Sequence, residues 1–307
     1  MGSSIDRYLR RIDGLDAEIW VRPSRGHLFW LRHLPTMFGA DPRASGPLAR
    51  WWGIATVTPA TNVTGLNLRY QAYLNLVFHR TRLARVGHAI CMPLIVAAAL
   101  AALCPVRLGS WSALPGLALP VNASLPAAIG LAAWWAVWAV KERDAVWGMC
   151  AVAFAAALYA LANVAYLGRP EAGVLGNPVA WMLLGSLLQA GSHILEPLPP
   201  RVSRSPYWIP VREYVLGPPH ARYGAAVVAR RCGQLAAQTV FGTVDELIAS
   251  PRLLPVLLLE WLWRAGHRPQ QRVTYRALAA DAIASGNPAL DYIGTGGPTP
   301  LRVPVAS

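Results

Sequence analysis

The chain alternates between long apolar runs and short connections rich in arginine. Four runs stand out: AICMPLIVAAALAALC from Ala89 to Cys104, SLPAAIGLAAWWAVWAV from Ser124 to Val140, AVWGMCAVAFAAALYALANVAYL from Ala145 to Leu167, and PVAWMLLGSLLQAGSHIL from Pro178 to Leu195. A helix that crosses a bilayer needs roughly 17–25 apolar residues. The third run meets that length easily and the others are shorter. The pattern predicts an all-α fold, a polytopic membrane bundle of about four spans with further interfacial or re-entrant helices. Buried helices of a large soluble protein are the competing reading.

Ahead of the first run, NLRYQAYLNLVFHR (Asn67–Arg80) has helical spacing, with Leu68, Ala72, Asn75 and His79 on one face. Residues 1–65 are mixed, and RGHLFWLRHLPTMF within them reads as an amphipathic helix on the membrane surface. Past the fourth run, Tyr223–Phe241 reads as an interfacial helix. TVDELIASPRLLPVLLLEWLWRAG starts on a capping box, Thr243 to Glu246, and its stretch Leu253–Trp263 is expected to be re-entrant or interfacial. The organisation expected is therefore an extra region over 1–65, a membrane-embedded domain over 66–269 with an insertion at about 201–241, and a C-terminal helix with a disordered tail over 270–307.

Composition supports the membrane reading. Hydrophobic residues make up 54% of the 307 and charged residues 14%, against about 25% charged in a soluble domain. The net charge is +13, and Lys141 is the single lysine. The arginines flank apolar runs rather than forming a nucleic-acid face, so a membrane and its lipids are the expected partners and nucleic acid is not. Twelve arginines precede the first run, and basic residues then dominate alternate connections. The positive-inside rule places both termini in the cytoplasm. Arginine- and alanine-rich usage points to a GC-rich bacterial genome and hence to an inner membrane. Cys91, Cys104, Cys150 and Cys232 lack metal-type spacing and read as small packing residues.

The polar residues inside the apolar pattern carry the chemistry. Ser186, Gln189, His193 and Glu196 fall on one helical stripe at spacings of three and four. The charge rule puts that stripe at the cytoplasmic end of the fourth run, and puts His79 and His88 at the same end of the first. Ionisable groups in hydrocarbon are costly and mark functional sites. Imidazoles with a carboxylate suit iron or zinc, and two histidines with one carboxylate are a common Fe(II) set for oxygen chemistry. His79 and His88 are nine residues apart, two and a half turns, so they face opposite ways on one continuous helix. They share a metal only if the chain bends between them, and RTRLARVG offers Gly87 but no proline. Glu260 in VLLLEWLWR either supports a metal ligand from behind or pairs with Arg264, and the ion pair is the reading slightly preferred. His27, His33, His220 and His267 read as surface residues.

The order FHRTRLARVGHAICMPLI, QAGSHILEPLPP and ELIASPRLLPVLLLEWLWRAGHRP resembles the 2-hydroxy-palmitate dioxygenase family of membrane proteins. Phe78, His79, His88 and Pro93 match its first motif, Gln189, Gly191, His193 and Glu196 its second, and Glu260 and Gly266 its last. The chain departs from the family at Thr81 and Ala84, where asparagines are expected, and at Ser192, which separates Gly191 from His193. The resemblance covers Tyr70 to Pro269. It implies a compact helical membrane protein that binds Fe(II) and, with O2, shortens a 2-hydroxy fatty acid by one carbon. It carries His79, His88, His193 and Glu196 over as metal ligands and catalytic residues, with Gln189 and Glu260 behind them. By placement, Arg82, Arg85 and Arg201 are candidates for the substrate carboxylate. Other readings remain open at this point: a different metal-dependent lipid-modifying enzyme, a b-type haem held by two histidines, or a non-catalytic transporter or assembly factor.

Overall fold

The computed structural model describes residues 79–114, 117–168, 176–192 and 225–284, with isolated positions between 52 and 76. Of the described residues 86% are helical. Three helices are long and apolar enough to cross a membrane: α1 (Arg82–Leu103), α2 (Ser124–Glu142) and α3 (Ala145–Leu167). At 1.5 Å per residue they run about 33, 28 and 34 Å, close to the thickness of a hydrocarbon core. α4 (Pro178–Ser192) is apolar but has 15 residues. It is followed by α5 (Ala225–Arg264) and α6 (Pro269–Ala284). Residues 1–51 and 193–224, and the tail beyond 284, lie outside the described residues, and with them the expected N-terminal amphipathic helix and most of the expected insertion.

Two features depart from the expected organisation. A two-stranded antiparallel hairpin, β1 (Arg107–Leu114) and β2 (Leu117–Asn122), joins α1 to α2. Its register pairs Arg107 with Asn122 and Trp111 with Leu119. The hairpin is tied down at its base by a buried polar cluster. Asn122 Nδ2 donates to Asn163 Oδ1 at 2.7 Å, and the Asn122 side chain accepts from both the backbone N–H and the hydroxyl of Ser124. The second departure is α5. Thr243–Glu246, expected to start a helix, falls in the middle of one 40-residue helix that joins the end of the expected insertion to the apolar Leu253–Trp263 stretch.

Local chemistry explains where the helices turn. Thr81 takes extended backbone angles, φ −81° and ψ 154°, and its Oγ1 accepts from Ala84 N at 3.2 Å, which starts α1. Asp144 starts α3 the same way, accepting from Trp147 N at 3.0 Å. Inside α5, Pro255 cannot donate to the carbonyl of Pro251, four residues back. That carbonyl accepts instead from the Trp135 indole N–H of α2 at 3.0 Å. Pro251 likewise frees the carbonyl of Leu247, which accepts from the Ser250 hydroxyl at 2.7 Å. Each freed acceptor is satisfied by a neighbour, as a low-dielectric interior demands.

α1 lies at the centre, packed against α4 and α3, while α2 pairs with α3 and α5 crosses α1, α4 and α3. Trp135, Trp147, Met92, Ile95 and Leu254 are wholly buried in the core. Phe154 stacks on Trp135 at 6.0 Å and meets Trp261 edge-on at 5.5 Å, linking α2, α3 and α5. Outward positions are apolar as well: Ile90, Met149 and Val164 are each more than 60% exposed. Such side chains suit contact with lipid, in keeping with the three helices long and apolar enough to cross a membrane.

The close approach of α1 and α4 needs small residues. A Cβ at Gly87 would lie 2.5 Å from Ser192 Cβ, and one at Gly185 would lie 2.8 Å from Ile95 Cγ1. The turn between α2 and α3 is clamped to the turn between α5 and α6. Asp144 Oδ2 accepts from His267 Nε2 at 2.9 Å and from Arg268 Nε at 3.2 Å, and Arg268 Nη2 donates to the Arg143 carbonyl. His267, read from sequence as a surface residue, is therefore a tie between two connections. The start of α1, the end of α4, the end of α5 and this clamp all gather at the end of the bundle opposite the hairpin.

Candidate functional site

His79 ends the segment whose helical positions include Gln71, Ala72, Asn75 and Leu76. Its buried face is the one expected: Leu68, Ala72, Asn75 and His79 are all at most 8% exposed. The chain then leaves helix geometry at His79–Arg80 and re-enters it after Thr81. The bend that the nine-residue spacing requires is thus supplied by the Thr81 cap. Gly87 serves a different end, the close packing on Ser192.

The bend brings the two imidazoles together. His79 Nε2 and His88 Nε2 are 3.1 Å apart, with ring centroids at 4.0 Å. Each ring is anchored from behind in the same manner. His79 Nδ1 meets the carbonyl of Asn75 at 2.8 Å and His88 Nδ1 meets that of Ala84 at 3.0 Å. A carbonyl only accepts, so each Nδ1 carries a proton and, on neutral rings, each Nε2 presents its lone pair. The two Nε2 atoms face one another across 3.1 Å, a contact that a proton on one ring, or a metal ion in its place, would satisfy.

Gln189 of α4 reaches the same point, its Nε2 donating to His88 Nε2 at 3.0 Å. Its other amide atom, Oε1, and the hydroxyl of Ser186 one turn earlier are buried without hydrogen-bond partners among the described residues. Glu260 of α5 accepts from Asn75 Nδ2 at 2.7 Å. Its carboxylate meets Asn75 in place of the close ion pair with Arg264 that its spacing favours. Glu260, Asn75, His79, His88 and Gln189 thus form one buried, connected row drawn from α5, the segment before α1, α1 and α4. All five are at most 8% exposed.

His193, Glu196 and Arg201 lie outside the described residues. Among the described residues no set of three or more His, Cys, Asp or Glu is gathered for a metal. The histidine pair is what the structure brings together. Of the expected carboxylate-binding arginines, Arg82 is exposed at the first turn of α1. Arg85 lines a cleft of about 240 Å³ beside His79, together with Leu76, Arg80, Arg276 and Ala279. Sequence reading missed Asn75 as the link to Glu260, and it missed Arg80 and Arg276. The polar Asn75 on an otherwise apolar face was the available signal for the first. Nothing local signals Arg276, which arrives through the fold of α6.

The chain matches no family model, no curated protein and no solved structure.

Proposed function

We propose that this protein is a membrane-embedded, Fe(II)-dependent dioxygenase that shortens a 2-hydroxy fatty acid, or a similar lipid, by one carbon. The observation that carries the reading is the buried histidine pair with facing Nε2 atoms. Two imidazole nitrogens bound about 2.1 Å from one ion, at neighbouring positions, lie roughly 3.0–3.4 Å apart. The observed 3.1 Å fits that range. Metal-ligating histidines almost always donate the other ring N–H to a carbonyl or carboxylate, as both rings do here. His79 and His88 would hold the ion, and His193 and Glu196 would complete the set. Bound there, Fe(II) supplies O2 activation and open positions for a chelating hydroxy acid.

The remaining work falls to the chain itself. The Asn75 and Ala84 carbonyls fix the orientation of the two rings and their tautomer. Glu260 holds Asn75, and so holds the carbonyl that anchors His79. Gln189 Nε2 donates to His88 Nε2, a bond that an ion held on that nitrogen would displace, and its Oε1 is an acceptor for a substrate hydroxyl. Burial among α1, α4 and α5 keeps water from the pair. A b-type haem held by these two histidines is disfavoured, because opposite axial nitrogens lie about 4 Å apart across the iron. Orientation with the site toward the cytoplasm, a fourth span completed by α4 and residues beyond it, and an inner-membrane location belong to the same proposal. They follow from the alternation of arginine along the connections.

The test is turnover. Purified protein supplied with Fe(II) and a 2-hydroxy fatty acid should consume one O2 per turnover in air and release the acid one carbon shorter together with CO2 and water, and do neither without O2. Lipid turnover that persists without O2 would overturn the dioxygenase and favour another metal-dependent lipid enzyme.

A further inference from the structure

Arg80, Arg85 and Arg276 converge on the cleft beside His79. Arg80 and Arg85 flank the start of α1, and Arg276 comes from α6. Each guanidinium is charged at any relevant pH, so the fold brings together groups that repel one another. The Arg276 guanidinium is held below its ordinary range, first by desolvation and then by the positive charge of Arg272 and Arg85, with Glu260 acting the other way. Among the described residues no carboxylate lies within ion-pair distance of Arg85 or Arg276. The cleft also has an apolar side, formed by Leu76 and by Ala279 and Ala280 of α6. Charge alone would suit any anion. Charge set against an apolar wall, at the end of a lipid-facing bundle, suits an anion that carries a chain.

We propose that this cleft seats the oxyanionic head of an acyl amphiphile, held by Arg276 and Arg85, with its first methylenes against Leu76 and the α6 alanines. The assignment rests on the proposed function only in identifying the head as the substrate's carboxylate. Capture of the head follows from charge and shape. Arg276 is then a specificity residue supplied by the C-terminal helix, and it selects acids over neutral lipids of equal length. The planar fork of arginine pairs with a carboxylate through two parallel hydrogen bonds, which lysine cannot reproduce.

The experiment uses detergent-purified full-length protein. Binding is read by isothermal titration calorimetry. A long-chain fatty acid without the 2-hydroxyl, the matching fatty alcohol and inorganic phosphate are titrated against wild type, Arg276→Gln, Arg276→Lys and Arg85→Gln. Wild type should bind the acid about tenfold or more tighter than the alcohol, the loss expected when charge-assisted hydrogen bonds are removed. Either glutamine variant should reduce that preference and Arg276→Lys should keep part of it, with thermal midpoints and metal content unchanged. Equal binding of acid and alcohol by wild type, or a preference that survives both glutamine variants, would overturn the proposal. So would full displacement of the acid by phosphate at matched concentration, which would assign the cleft to a free anion. An Arg276-dependent acid preference in a protein that binds no metal would leave this inference standing and remove the metal reading.

Discussion

Removing the Trp135 indole N–H should cost stability only while Pro255 is present. In α5 the Pro251 carbonyl has lost its own helical donor to Pro255 and takes its hydrogen bond from Trp135 at 3.0 Å. Trp135 is wholly buried and Pro251 half-buried, so Trp135→Phe leaves that carbonyl with little water to turn to. An unsatisfied buried acceptor costs about 1–3 kcal/mol, and the lower part of that range applies to a carbonyl at a half-buried position. The smaller ring adds about 1 kcal/mol of lost packing while keeping its stack on Phe154. Together these lower the thermal midpoint by about 4–10 °C. In a Pro255→Ala background the backbone N–H returns and donates to Pro251, so the orphan cost disappears and the packing loss remains. The double-mutant cycle in detergent micelles should therefore show a coupling of about 1–3 kcal/mol. Equal destabilisation by Trp135→Phe in both backgrounds would refute the reasoning.

The other expectations concern the end of the bundle that holds the histidines. Gly87→Ala should destabilise by about 1–3 kcal/mol, because its Cβ would meet Ser192 at 2.5 Å; Ser192→Gly should restore most of the thermal midpoint, and no rescue would show that the helices do not depend on this contact. Burial of Asp144 raises its carboxyl, but the His267 bond, the Trp147 N–H and the Arg268 charge outweigh that and hold it below the ordinary range. A depressed carboxyl contributes stability that is fully present above the unfolded value, about 3.9, and is lost as pH falls through the lower folded value. Acid melting of wild type should therefore steepen below about pH 4, and Asp144→Asn should start less stable and respond less to acid. Identical acid profiles for the two proteins would contradict the clamp.

Much of the frame is legible in the residues because hydrocarbon imposes a strong pattern. The spans of α1, α2 and α3 show as uninterrupted apolar runs, and the buried face through Leu68, Ala72, Asn75 and His79 shows as a helical period. The bend was harder to see. Between the histidines Gly87 is the one residue of the Gly or Pro type, whereas Thr81 turns the chain by capping α1, a signal carried by a hydroxyl in front of an apolar run. The hairpin was hidden in a connection read only for its charge, although Pro115–Gly116 between two strand-like stretches is a turn signal. In α5 the capping box at Thr243–Glu246 argued for a helix start, yet one helix runs through it and through both prolines. The helix continues because Ser250 and Trp135 satisfy the freed carbonyls, and only the second of these comes from elsewhere in the fold. The partner of Glu260 was set by tertiary contact in the same way. Its spacing to Arg264 favoured an ion pair, and the arrival of Asn75 from the segment before α1 decided otherwise.

Metal content bears most directly on the central claim. Purified wild type, His79→Ala and His88→Ala should be loaded with Fe(II), desalted and analysed for bound metal alongside their thermal midpoints. The account predicts about one ion per wild-type chain, since a shared site needs both rings, and its loss from either variant while the protein stays folded. Wild type that retains no metal, or folded variants that retain as much as wild type, would contradict it.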